Sequence, residues 1–504
     1  MNAIKLSKAE ILAVSLMGFI GLVTGGWAIF PLCVMAGVLI GFNQPEENAS
    51  SGRVIVTGAI ASIFVALGVF VHNTFIVHLP KIEAIPVAAL NPLWLVLGVL
   101  VGALCAFLVA KMRNLPDERM RRNGMLLFVL VCAIVYPFYD EQTKLLWLSQ
   151  VVITLIYALQ ALGLNIVAGY AGLLDLGYVA FFAIGGYTVA LLSSPQFDIK
   201  WSFFLVIWIA AAAAAFFGLL LGAPTLPLRG DYLAIVTLGF GEIVPIVFRN
   251  LEAVTIYEPV TKLIAEITGN AALKVQSCLL GCDGTPFNIT NGIQGISPIE
   301  PPRIPGFAAN LFNPTDKIPW YFLALVLLFI SVFFITRLRS SKLGRAWVAL
   351  REDELAASAM GIDLVHTKLA AFMIGATFSG IAGALFGTYV SFISPSAFDF
   401  SISVIVLCTV ILGGSGSVVG AILGTLILRL SDLILLDKVQ SVVRGLLEAT
   451  VLRSSSSLEV TNFLTSILDI TQYKLLFFGV ILVSMMLVRP QGLVPSVATK
   501  RRIN

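Results

Sequence analysis

Charge is what this sequence lacks. Only 12% of its 504 residues are Asp, Glu, Lys or Arg, where a soluble globular protein carries about 25%. A soluble enzyme of this length is therefore excluded. An apolar content of 58% likewise excludes a disordered chain, which needs low hydrophobicity and high net charge. Histidine is scarcer still: His72, His78 and His366 stand apart, so no metal site is expected. The six cysteines are scattered except for Cys278 and Cys282, and none has zinc-ligand spacing. There is no G-x-x-x-x-G-K-[ST] phosphate loop, no H-E-x-x-H helix and no G-x-S-x-G elbow, so no catalytic residue is expected. A net charge of +4 is too small to argue for a nucleic-acid partner.

Long hydrophobic runs are what the chain has in their place. Mean hydropathy is +0.96, and apolar blocks lie near 11–42, 54–71, 93–111, 124–138, 145–165, 170–193, 203–222, 232–248, 320–336, 366–390, 401–430 and 473–489. Blocks of about 17 to 25 residues cross a hydrocarbon core of about 30 Å as helix. The expected fold class is all-α: a polytopic integral membrane protein with about eight core transmembrane helices, a re-entrant broken helix and about three or four further helices within residues 1–122. Lys5 and Lys8 precede the first run, but Thr24-Gly25-Gly26-Trp27 is a poor cleavage site, so a retained anchor helix is expected there.

Basic residues orient the spans. The loop holding Lys111, Arg113, Arg119, Arg121 and Arg122 should be cytoplasmic. Five spans later the chain is outside, at the polar stretch 249–318. The span 320–336 then returns it to Arg337, Arg339, Lys342, Arg345 and Arg351, so the two basic loops agree in parity. Lys500, Arg501 and Arg502 also favour the cytoplasm, yet a single crossing at 401–430 would place them outside. Gly413-Gly414-Ser415-Gly416-Ser417 splits that block into two pieces of about a dozen residues, each too short to cross. A re-entrant pair that enters and leaves on the periplasmic side restores the parity. One glycine-rich span plus another crossing within 433–452 is the alternative.

In the second basic loop, Glu354-x-Ala356-Ala357-x-x-x-Gly361 resembles the E-A-A---G loop of ABC importer permeases. Physically it is a short amphipathic helix stopped by glycine, and an ordinary solvated loop helix would look similar. Further motifs add weight. Gly163-Leu164-Asn165-Ile166-Val167-Ala168-Gly169-Tyr170-Ala171-Gly172-Leu173-Leu174-Asp175-Leu176-Gly177-Tyr178 resembles the family of branched-chain amino acid ABC importer permeases. Leu228-Arg229-Gly230-Asp231-Tyr232-Leu233-Ala234-Ile235-Val236-Thr237-Leu238-Gly239-Phe240-Gly241-Glu242-Ile243 resembles its M-type subunit and not the H-type. Gly413–Ser417 and Arg489-Pro490-Gln491-Gly492-Leu493 follow in the family's order. The resemblance covers roughly 123–495.

The resemblance implies a membrane subunit, not an enzyme, for import of leucine, isoleucine and valine across the bacterial inner membrane by alternating access. It implies an H-type permease subunit, two cytoplasmic ATP-binding subunits and a periplasmic substrate-binding protein as partners. ATP and magnesium would sit on the ATPases, so no cofactor is expected on this chain. The domain organisation expected is an N-terminal extension 1–122, a permease core 123–495 with a periplasmic insertion about 249–318 and a coupling loop 337–365, and a basic tail 496–504. Two departures stand out: the extension itself, and an insertion around 249–290 ahead of Asn291-Gly292-Ile293-Gln294-Gly295-Ile296.

Candidate site residues follow. Glu354, Ala356, Ala357 and Gly361 would form the ATPase-coupling loop. Asp175, Glu242, Gly413, Gly414 and Gly416 are translocation-path candidates, because ionisable residues in spans are costly and face a cavity or partner. The blander alternative, favoured for both acids, is that they hydrogen-bond freed backbone or a neighbouring helix. Arg229 and Asp231 suit a structural pair. Cys278 and Cys282, placed in the oxidising periplasm by the parity count, are close enough in sequence for a disulfide around Gly281, with two unpaired thiols as the alternative. Competing functions are a permease for urea or short amides, which shares the glycine motifs, and an ion-coupled secondary transporter, for which Asp175 and the Gly413–Ser417 break would count. A redox or proton-pumping membrane enzyme would want histidine ligands or several midplane charges.

Overall fold

In a computed structural model the described residues are 28–43, 51–71, 92–113, 117–143, 147–195, 201–225, 231–252, 288–303, 311–313, 316–436, 439–441, 443, 473–488 and 491–494. Cys278, Cys282, Arg229, His72, His78 and Lys500–Arg502 lie outside them. Among the described residues the fold is all-α, with one isolated antiparallel bridge between Ile296 and Ile393. Helix is the form that satisfies every backbone group internally in a water-free medium. Nine described helical stretches are long and apolar enough to cross a bilayer, so the chain is a multi-pass membrane protein. It folds as two compact units, Met1–Gln150 with Leu430–Lys474, and Val151–Arg429 with Leu475–Asn504.

The first unit contains α1 (Ile29–Asn43), α2 (Ser51–Val71), α3 (Pro92–Arg113) and α4 (Glu118–Thr143). Within residues 1–122, three helices are thus described, and α3 packs against both α1 and α2. Ile29, Leu32, Cys33, Ala61, Val65 and Val69 are buried between α1 and α2. Lipid tails are as apolar as leucine, so close backbone approach at small residues holds such helices together. Near the end of α4, Asp140 is buried; its carboxylate accepts the backbone N–H groups of Trp147 at 3.2 Å and Leu148 at 3.1 Å. One helix therefore caps the start of the next.

That next helix is α5 (Leu148–Leu164), which continues as a π-helix over Asn165–Tyr170. The second unit adds α6 (Val179–Ser193), α7 (Phe203–Thr225), α8 (Asp231–Asn250), α9 (Ile318–Ser340), α10 (Lys342–Glu352), α11 (Glu354–Ala359), α12 (Leu364–Val390), α13 (Phe400–Gly413), α14 (Val418–Leu430) and α15 (Lys474–Val488). The 27-residue α12 is its central pillar, packed along both α6 and α7. Gly380 permits this: a Cβ there would come 2.5 Å from that of Ala214 and 2.9 Å from the Ala210 carbonyl. α6 is apolar all round and almost wholly buried, the signature of a helix enclosed by protein on every side.

Two expectations change. The block 170–193 is not one helix. Residues 171–178 are irregular, and only the 15 residues of α6 are helical. Irregular backbone at membrane depth is tolerated only where protein or a cavity surrounds it, and here the freed N–H groups find partners. Leu176 donates to the Thr237 hydroxyl at 3.1 Å, Gly177 to the Asp175 carboxylate at 3.0 Å, and Val179 to the Ser403 hydroxyl at 3.0 Å. The break at Gly413–Ser417 is present, and it joins two close-packed helices, with Gly424 against the Thr409 carbonyl and Gly413 against Gly420. The arms are longer than the dozen residues expected. A 3-10 turn at Pro395–Phe398 and a π-helix at Ser431–Leu436 extend them, so Pro395–Gly413 spans 19 residues and Val418–Ser441 spans 24, each long enough to cross. Arg429 and Asp432 lie within the second arm, whose helical path runs past them, while Asp399 is the extended residue that joins the 3-10 turn to α13. Two crossings keep the same parity as a re-entrant pair.

Candidate functional site

The basic loop after α9 is built from local capping signals. Ser341 N-caps α10, its hydroxyl accepting the Gly344 N–H at 3.3 Å. Gly344, Trp347 and Leu350 are the buried residues of α10, spaced three apart on one face. Trp347 is fully buried, and its indole N–H donates to the Thr367 carbonyl in the first turn of α12 at 2.8 Å. Asp353 then N-caps α11, its carboxylate accepting the N–H groups of Leu355 at 2.8 Å and Ala356 at 3.0 Å. The end of α11 is a Schellman turn: Gly361 donates to the Ser358 carbonyl at 2.9 Å, and Ile362 to the Ala357 carbonyl at 3.1 Å. The turn requires a left-handed residue, and Gly361 has φ +83°. Asp363 starts α12, accepting the His366 N–H at 3.1 Å and facing the His366 ring nitrogen at 2.6 Å. These contacts hold its carboxyl below the usual carboxylate range.

The four coupling-loop candidates divide by face. Ala357 is buried and packs α11 inward. Glu354 also turns inward, forming an ion pair with the buried Lys368 ammonium on α12. Ala356 and Gly361 are exposed. With them stand Leu355, 70% exposed, and Met360, 84% exposed. Both are large apolar side chains open on a basic loop outside the spans.

The loop also reaches the discontinuous elements. Arg351 Nη1 donates to the Gly169 carbonyl of the π-helix, and Nη2 donates to the Ser415 hydroxyl in the hairpin turn at 3.2 Å. The Asn165 side-chain oxygen accepts the Gly416 N–H at 2.8 Å. The Arg339 guanidinium lies 5.7 Å from the centre of the Tyr170 ring, a cation–π contact. Residues 491–494 lie on the same turn, Leu493 donating to the Leu412 carbonyl and Val494 to the Gly413 carbonyl, both at 2.9 Å. The three glycine-rich motifs, far apart in sequence, thus meet beside the basic loop.

Among the path candidates, Asp175 is buried and braces the irregular segment as described above. Glu242 is exposed on α8, next to Gly241, which packs on Gly177 of the irregular segment. Gly413 and Gly414 are buried in the hairpin turn, where Gly414 (φ +113°) and Gly416 (φ +83°) bend the chain. At the end that the parity count places outside, a cavity of about 490 Å³ is lined by Pro195, Asn288, Asn291, Gly295, Ile296 and Ser297. Asn291 (φ 59°) shapes its rim by donating to the Gly295 carbonyl at 2.9 Å. Among the described residues no group of three His, Cys, Asp or Glu could hold a metal.

Sequence reading missed Arg351, Trp347, Lys368 and Asn165. A lone arginine in a basic loop reads as topology, and Asn165 reads as one polar residue in an apolar block; their partners lie far along the chain, beyond any local pattern.

The chain matches, over residues 146–486, the model of a family described as the branched-chain amino acid transport system / permease component. It is 36% identical over 384 residues to the high-affinity branched-chain amino acid transport system permease protein LivM of Escherichia coli (strain K12), covering 76% of this chain and 77% of that protein. A probable branched-chain amino acid transport permease protein LivM of Methanocaldococcus jannaschii is 28% identical over 282 residues, 54% of this chain and 76% of that one. The permease protein LivH of Salmonella typhimurium (strain LT2) is 26% identical over 288 residues, 55% and 80% of the two chains. No solved structure matches.

Proposed function

Since the chain belongs to the family of branched-chain amino acid transport system permease components, we propose that it forms part of the path by which leucine, isoleucine and valine cross the bacterial inner membrane, driven by ATP hydrolysis on two separate cytoplasmic subunits. An H-type permease subunit would complete the path, and a periplasmic binding protein would deliver the cargo. Selection of cargo would rest mainly with that binding protein. The chain holds no ATP; ATP and magnesium belong to the ATPases.

The observation that carries this reading is the α10–α11 arm. It offers Leu355, Ala356 and Met360 outward, while Trp347 and the Glu354–Lys368 pair fix its inner side to α12. A helix held rigidly on one face and apolar on the other can take a push from a partner and pass it on. α12 receives that push at its first turn and packs along α6 and α7, so the bundle would reorient together.

The test is reconstitution with the H-type permease, both ATPases and the binding protein in vesicles. ATP-dependent uptake of leucine, isoleucine and valine, and not of urea, is expected. Replacing Leu355 and Met360 together with glutamate should abolish ATPase association while the subunit still inserts, because both side chains are already exposed. Uptake equal to wild type in that variant, or uptake that persists without the ATPases, would overturn the reading.

A further inference from the structure

A guanidinium presents several N–H donors in a fixed planar fork, so one arginine can hold two acceptors at a set spacing, which a lysine cannot. Arg351 uses that property. It sits in the last turn of α10, three residues before Glu354, with Nη1 on the Gly169 carbonyl and Nη2 on the Ser415 hydroxyl. Both acceptors belong to places where regular α-helix has stopped. Gly169 lies in the π-helix Asn165–Tyr170, and Ser415 in the turn between α13 and α14. π-Helical turns are frequently found at functional sites. Its stem is also seated: a Cβ at Gly172 would meet Arg351 Cγ at 2.8 Å and Cβ at 3.2 Å, so the irregular segment packs against the root of a side chain that is otherwise exposed. Asn165 separately ties the same two elements to each other through Gly416.

We propose that Arg351 is a positioning residue that clasps the π-helix at Gly169 and the hairpin turn at Ser415, so that displacement of the α10–α11 arm reaches both discontinuous elements at once. This rests on the arm being the surface on which the ATPases act. Trp347 and Lys368 carry the arm's movement to α12; Arg351 is a second, parallel route that bypasses α12. The clasp is a hydrogen-bonded contact between elements, not a contact with cargo.

The experiment measures uptake and ATP hydrolysis together in the reconstituted full complex, for wild type, Arg351→Ala, Arg351→Lys, Ser415→Ala and the double variant Arg351→Ala/Ser415→Ala. Arg351→Ala should lower the uptake per ATP hydrolysed on the order of tenfold, the scale of a typical coupling energy between sites, with insertion and thermal midpoint near wild type. Arg351→Lys, with one point donor, should recover part of that loss. Ser415→Ala should cost less than Arg351→Ala, and the double variant no more than Arg351→Ala alone, because the hydroxyl acts only through the guanidinium. Unaltered uptake per ATP in Arg351→Ala, or fully additive losses, would overturn the clasp while leaving the transport reading standing. Absence of ATP-dependent uptake in wild type would instead defeat that reading itself. If Arg351→Ala fails to insert, Ser415→Ala alone decides, since removing one hydroxyl leaves the fold intact: unaltered uptake per ATP there overturns the clasp.

Discussion

The Asn165 side-chain oxygen accepts the Gly416 backbone N–H at 2.8 Å, joining residues 251 positions apart. Gly416 lies in a buried turn between two helices, where its N–H has no helical carbonyl to bond. A buried backbone donor left unsatisfied costs about 1–3 kcal/mol. Asn165→Leu should therefore lower stability by about that amount, seen as a fall in the thermal midpoint of the purified protein. A wild-type midpoint in Asn165→Leu would show that the turn is held by other contacts.

Glu354 and Lys368 make the second prediction. Because Lys368 is almost wholly buried and Glu354 partly so, removing either partner strands a charge; breaking such a pair costs about 3–5 kcal/mol when both groups are buried, and less here because Glu354 keeps access to water. Glu354→Lys places two ammonium groups together and should lose both stability and uptake. The exchange Glu354→Lys/Lys368→Glu should restore stability. If uptake returns with it, Glu354 acts through Lys368; if stability returns and uptake does not, the carboxylate itself meets the partner. Failure of the exchange to recover any stability would refute the ion pair.

How much of this could be read from sequence differs by residue. Span positions were legible because apolar runs are long and local, and α11 was legible because Glu354, Ala356, Ala357 and Gly361 stand at helical spacing ahead of a glycine stop. The Schellman turn at Gly361 is that stop. The direction in which Glu354 points was not legible: a surface carboxylate and one paired with Lys368, 14 positions away, look alike in a string of letters. The irregular segment 171–178 was hidden for a related reason. Leu173, Leu174, Leu176 and Tyr178 are as apolar as a helix would be, and the groups that permit a break, Thr237 and Ser403, come from other spans. The glycine motifs indicated close approach without naming the neighbour, so the meeting of Gly413–Ser417 with residues 491–494 needed the fold.

The start of α12 yields a pH prediction. Asp363 caps the helix through the His366 N–H and contacts the His366 ring, and both hold its carboxyl below the ordinary value. A carboxylate whose folded pKa is lowered gives its full stabilisation above the ordinary carboxylate pKa of about 4, and loses it only as pH falls through the lowered folded value. The cap should thus be constant from about pH 5 upward. Asp363→Asn retains a capping oxygen, so its thermal midpoint plotted against pH should run parallel to wild type above that point and diverge only in acid. With the comparison made in a His366→Gln background, so that no imidazole faces the carboxylate, divergence near neutral pH would mean that Asp363 titrates outside the range its hydrogen bonds dictate.

The last prediction concerns the depth of the α13–α14 hairpin. A shallow re-entrant pair and two full crossings keep the same parity, so labelling at the outer ends of the two arms should occur from the periplasm in both cases and separates neither from the other. The turn does. Ser415 accepts a hydrogen bond from Arg351, and Arg351 belongs to the basic loop that charge counting places in the cytoplasm. The arms Pro395–Gly413 and Val418–Ser441, of 19 and 24 residues, would measure roughly 28 and 36 Å as α-helix at 1.5 Å per residue, enough to reach from one face to the other. In a variant lacking all six native cysteines, Ser415→Cys should react with a membrane-impermeant maleimide in inside-out vesicles and stay unreactive in intact cells treated to open the outer membrane. A cysteine in place of Ser396, exposed in the 3-10 turn at the outer end of the first arm, should behave in the opposite way. Reaction of Ser415→Cys from the periplasm would place the turn short of the cytoplasmic face, and would separate it from the basic loop that Arg351 joins to it.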